Sequence, residues 1–99
     1  MKISNSDFID LIRYLDRCEA AKPIEIKGRA TELALMACSN ILYHLNTRLK
    51  NKYRDYPHRL HYKIKLTVSQ GAALVFLYLT IGSDSVFIQG LIAEIDKSL

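Results

Sequence analysis

The chain has 99 residues, 49% apolar and 24% charged, with a formal net charge of +4. That composition excludes intrinsic disorder, and the length limits the chain to one domain, residues 1–99, with one modest core. The longest apolar run, residues 72–81, is far short of the ~20 residues that cross a bilayer. No apolar signal segment opens the sequence, so a cytoplasmic protein without membrane contact is expected.

The first predicted helix has a full start signal. Ser4 is its N-cap, Asp7 completes a variant capping box, and Ile3 and Phe8 are spaced as a hydrophobic staple. Phe8, Leu11, Leu15 and Cys18 recur at helical spacing, with Ile12 beside them, until Pro23 ends the helix. Ile24-Glu25-Ile26-Lys27 alternates and Gly28 closes it, which predicts a short strand. A long helix follows from about Ala30 to Tyr53, with Leu35, Cys38, Leu42, Leu45 and Leu49 as its seam, widened by Ala34 and Ile41. At 1.5 Å per residue it spans about 36 Å.

Tyr56-Pro57 breaks that helix, and from Arg59 to Thr67 the chain alternates without interruption. Leu60, Tyr62, Ile64 and Leu66 are apolar, whereas Arg59, His61, Lys63 and Lys65 are basic. Successive strand side chains point to opposite faces, so the pattern predicts one strand with an apolar and a cationic face. Thr67 and Gln70 form a capping box ahead of a third helix reaching about Ile81. Residues 74–81 are apolar on every side. Their periodicity is compatible with a buried helix or a buried strand, and the capping box and Ala72-Ala73 favour helix. Gly82-Ser83-Asp84-Ser85 turns the chain into a fourth helix from about Val86 to Lys97, with Ile88, Ile92, Ile95 and Leu99 on one stripe.

The charge is concentrated. Residues 1–47 balance to zero, residues 48–65 carry seven basic side chains against Asp55, and residues 66–99 sum to −2. A cationic strand face beside the basic end of a long helix is a candidate polyanion surface, formed by Arg48, Lys52, Arg54, Arg59, His61, Lys63 and Lys65. Tyrosines nearby and Arg59 itself add stacking surfaces. The competing explanation is that lysines protect an exposed strand edge and cations gather at a helix C-terminus.

From Arg59 to Leu99 the chain also resembles a ribbon-helix-helix DNA-binding unit. The matching pieces are Lys63-Ile64-Lys65-Leu66-Thr67-Val68-Ser69-Gln70, the turn Gly82-Ser83-Asp84-Ser85, and Val86 to Ser98. The resemblance implies that two copies pair their strands into a ribbon entering the major groove, with His61, Lys63 and Lys65 facing the bases. It also implies that amides near Ser85 anchor a phosphate. The departures are a shorter, more apolar third helix, Asp84 at the phosphate position, and two preceding helices.

His58 and His61 are three apart with no further ligand set, so no metal site is expected. No catalytic spacing or phosphate loop is present, so neither an enzyme nor a cofactor is expected. Cys18 and Cys38 read as small buried hydrophobes. Taken together, the sequence predicts a mainly α fold: four helices and a minor two-stranded element made by residues 24–27 and 59–66. The expected function is a small non-enzymatic binding module for nucleic acid, and the helix spanning 74–81 points to a homo-oligomer. The alternative is a homo-oligomeric structural or protein-interaction protein whose basic segment only protects a strand edge.

Overall fold

The computed structural model describes the backbone of residues 1–20 and 29–99 and the side chains of residues 1–18 and 32–99. In chain order the elements are β1 (Lys2–Ser4), α1 (Asn5–Ala20), α2 (Arg29–Asp55), β2 (His61–Lys63), α3 (Val68–Ile81) and α4 (Val86–Ser98). The fold is therefore mainly α, with four helices and one two-stranded antiparallel sheet among the described residues.

β2 pairs with β1 in the register Lys2↔Lys63, Ile3↔Tyr62 and Ser4↔His61. The residues 24–27, predicted as the sheet partner, lie outside the described residues. The basic strand is also shorter than its alternation predicts. Leu60, assigned to the apolar face, is 80% exposed. The reason is local. The sheet partner is only three residues long, and at Leu60 the chain is still leaving the connection from α2. The backbone carbonyl of Leu60 does accept from the Asn5 amide at 2.9 Å, and the Ile64 amide donates to the Met1 carbonyl at 2.8 Å. Pairing thus extends one residue past each end of the sheet.

The helix starts follow their capping residues. The Asp7 amide donates to Ser4 Oγ at 3.2 Å, and Ile3 and Phe8 are both buried, as a staple requires. At α3 the capping box is complete: the Gln70 amide donates to Thr67 Oγ1 at 3.1 Å, and the Thr67 amide donates to Gln70 Oε1 at 3.0 Å. α3 ends at Gly82, whose φ of 74° lies in the region only glycine enters without steric cost. Its amide donates to the Tyr78 carbonyl at 2.7 Å. Ser85 caps α4 by accepting from the Ile88 amide.

The core is the predicted seams brought together. Phe8, Leu11 and Leu15 of α1 meet Leu42, Leu45 and Leu49 of α2, Leu74 and Leu77 of α3, and Ile88, Leu91, Ile92 and Ile95 of α4. Segment 74–81 is a helix, and its apolar wrap is largely used within the chain. Leu74 and Leu77 are buried, Val75, Phe76 and Tyr78 are half-buried, and Leu79 is 78% exposed. α3 closes on α4 at Gly71, where a Cβ would stand 3.0 Å from Ile95 Cγ2. Two predicted core positions differ. Leu99 is 58% exposed because α4 ends at Ser98, and Leu91 takes its place on the buried face. Cys38 is half-buried at the core margin rather than inside it, while Cys18 is buried.

Candidate functional site

The site is assembled from the last three turns of α2 and from β2. In an antiparallel pair, the backbone groups of alternate residues face alternate edges of the strand. The Ile64 amide faces β1, so the carbonyls of Lys63 and Lys65 face the other edge. α2 runs along that second edge. Arg48 Nη2 donates to the Lys65 carbonyl at 2.8 Å, and Lys52 Nζ donates to the Lys63 carbonyl at 2.5 Å. Two cations four residues apart, one helical turn, thus satisfy acceptors two residues apart on a strand. The rise of about 6 Å over four helical residues matches that of two strand residues, about 6.6 Å.

This contact brings four of the seven predicted cations together. Arg48, Lys52, Lys63 and Lys65, with Leu49 and Ile64 beneath them, line a cleft of about 310 Å³. Among the described residues no acidic side chain lines it. Among the described residues, neither Lys63 nor Lys65 is tied by an ion pair or a side-chain hydrogen bond, so their ammonium groups face solvent. His61 stands on the same outward sheet face as Lys63, two residues along β2. So does Lys2, directly opposite Lys63 on β1. Opposed like charges on a sheet repel one another.

The other two predicted cations stand at the connection between α2 and β2. Arg54, at the end of α2, is 3.5 Å from Asp55 in an exposed ion pair. The Arg59 guanidinium lies 4.3 Å from the centroid of the Tyr56 ring, a cation–π contact that occupies one face of that ring. This connection is held from beneath. Asn5 Nδ2 donates to the Arg59 carbonyl at 2.8 Å, and the Tyr62 hydroxyl donates to the Tyr56 carbonyl at 2.6 Å. The Tyr62 ring stacks on Phe8 with centroids 4.1 Å apart, and Tyr53 completes the aromatic cluster. Backbone tied to half-buried Asn5 and buried Tyr62 in this way fixes where Arg59 stands.

Lys50, in the same basic stretch, faces away from the cleft. It meets Asp16 of α1 at 2.6 Å, and buried Asn46 donates to the same carboxylate at 2.8 Å. The hydrogen bond from Lys50 holds the Asp16 carboxyl below its ordinary range, against the opposing effect of desolvation. His44 and His58 are exposed, and among the described residues no three His, Cys, Asp or Glu side chains converge. Lys2 was not among the sequence candidates. Its only signal is that Lys2-Ile3-Ser4 alternates, and three residues are too few to identify a strand.

Comparison of the chain with protein-family models, with curated proteins and with solved structures finds no match. Among the described residues no helix is long and apolar enough to cross a membrane.

Proposed function

We propose that this protein is a small non-enzymatic binding module that holds the phosphate backbone of a nucleic acid across the sheet face and the α2–β2 cleft. The observation that carries the reading is the convergence of Arg48, Lys52, Lys63 and Lys65 on one cleft lined by no acidic group among the described residues, with Lys2 and His61 alongside. Arg48 and Lys52 act as anchored donors. Each is held by one strand carbonyl and keeps further N–H groups for an anion. Lys63 and Lys65 supply mobile charge, and Arg59 on Tyr56 offers a stacking plane at the far end. These contacts favour phosphate rather than base edges, so affinity follows charge and is nearly indifferent to sequence.

The edge-protection reading keeps one specific observation in its favour. Arg48 and Lys52 cover the carbonyl edge of β2, which is a structural task in itself. It leaves Lys63, Lys65 and Lys2 without a role. The pair Lys63→Gln and Lys65→Gln therefore separates the two readings. Binding to random-sequence DNA and RNA is measured by fluorescence anisotropy across a salt series. On the nucleic-acid reading the double variant binds more weakly to all sequences, and its log–log salt slope falls by about one to two. An unchanged affinity, or no binding by the unmodified protein at low salt, rejects that reading in favour of edge protection.

A further inference from the structure

Beside the sheet, α3 and α4 leave an open groove of about 940 Å³. Gly71, Leu91 and Ile95, all buried, line it. Around it large apolar side chains stand in solvent: Val86 is 83% exposed, Val68 77%, Leu99 58% and Met1 52%. Soluble proteins rarely leave such a set contiguous and uncovered. Among the described residues, two with charged side chains line the groove, Lys65 and Glu94, one of each sign, and Glu94 stands 4.0 Å from Lys97 in an exposed pair.

We propose that this groove is the surface on which two copies of the chain pair about a two-fold axis, with Lys65 of each copy meeting Glu94 of the other. Charge selects the occupant. In a two-fold contact every pairing occurs twice, so a surface carrying one cation and one anion is complementary to itself. An acidic peptide or a fatty-acid carboxylate would meet Lys65 but leave Glu94 opposed, and a basic partner would do the reverse. Shape agrees. Val86 projects from the first turn of α4, while Gly90, one turn further on the same face, would offer a Cβ no neighbour within 4 Å. A projection beside a recess is what one copy needs in order to receive the other. The proposal stands apart from the nucleic-acid reading, because its readout is mass rather than binding.

The test is sedimentation equilibrium over about 1–500 µM protein. The unmodified chain is expected to form dimers within that range. Val86→Glu adds an acidic residue to the first turn of a helix, where the dipole favours it, so the monomer should keep its circular dichroism and Tm. Its dimer dissociation constant should rise by at least about a hundredfold, because a charge would be buried unpaired. Lys65→Glu and Glu94→Lys should each weaken dimers by about threefold to tenfold, and the double exchange should restore them. If Val86→Glu loses native circular dichroism, Val68→Glu, in the first turn of α3, takes its place. A monomer throughout, a folded glutamate variant that still associates as the parent does, or a double exchange no tighter than the singles overturns the proposal.

Discussion

The Tyr62 hydroxyl donates to the Tyr56 carbonyl while its ring, fully buried, stacks on Phe8. Removing only the oxygen, Tyr62→Phe, should cost about 0.5–1.5 kcal/mol in urea unfolding, towards the low end because Tyr56 is exposed and water can replace the bond. Tyr62→Ala should cost about 3–5 kcal/mol by opening a cavity under the sheet. The alternation of the basic strand is tested by two substitutions on it. Ile64→Gln, 4% exposed, should destabilise the fold by about 1–3 kcal/mol, whereas Leu60→Gln, 80% exposed, should leave stability within about 0.5 kcal/mol. The two cysteines differ in the same way. Cys38 is only half-buried, although partial burial raises its thiol pKa, so native-state labelling with a thiol reagent should modify it well before Cys18. At Asp16 the folded carboxyl is more acidic than the unfolded one. Its contribution is fully present above pH ~4 and is lost as pH falls through the lower, folded value. Asp16→Asn should therefore shrink the acid-side loss of stability below pH ~4, read from Tm against pH, and only slightly, because the pair is about half exposed.

At the scale of elements, the α3 capping box is the feature whose loss is simplest to forecast. Thr67→Ala removes the acceptor for the Gln70 amide and should cost about 1 kcal/mol, seen as a Tm several degrees lower by circular dichroism. This box was legible in the sequence because Thr67 and Gln70 sit at fixed spacing ahead of an apolar run. The start of α1 at Ser4, the turn at Gly82 and the seam of α2 were legible for the same reason: each is decided by residues close in the chain. What could not be read was the identity of β1. Three residues carry too little pattern, and their pairing is set by Tyr62, nearly sixty positions away. The polar seam also escaped notice. Asn46 is 1% exposed inside an otherwise apolar face, and its amide donates to Asp16 of α1, a partner the sequence does not point to. Of the candidate site, the residue types and the region were readable from charge density. The division of labour was not, because it depends on which strand edge α2 covers. That edge bears on the ribbon resemblance as well: a strand-to-strand pairing of two copies requires one edge of β2 to be vacated, either by β1 or by Arg48 and Lys52.

For the whole molecule, the elongated shape, 44 × 26 × 24 Å, follows from α2, whose 27 residues span about 40 Å. The basic cleft and the apolar groove meet at Lys65, which lines both. A two-fold pair formed through the groove would engage Lys65 with Glu94 but set Arg48, Lys52 and Lys63 of two clefts near one junction, lengthening the charged track available to a polyanion. Linked sites of this kind raise avidity without any new contact. At equal protomer concentration, Val86→Glu should therefore weaken binding to a long single strand more than to a short one, as measured by anisotropy with oligonucleotides of two lengths.

The pairing of Lys2–Ser4 with His61–Lys63 also dictates an order of events during folding. During synthesis from the N-terminus, α1 can coil as soon as it is made, yet the strand before it has nothing to bond to until some sixty further residues exist. Closing so long a loop costs entropy that later contacts must offset. The sheet, the Phe8–Tyr62 stack and the cationic face should therefore be completed together and late. Conservative truncations at Ile3 should leave the refolding rate nearly unchanged and speed unfolding, the signature of contacts made after the rate-limiting step.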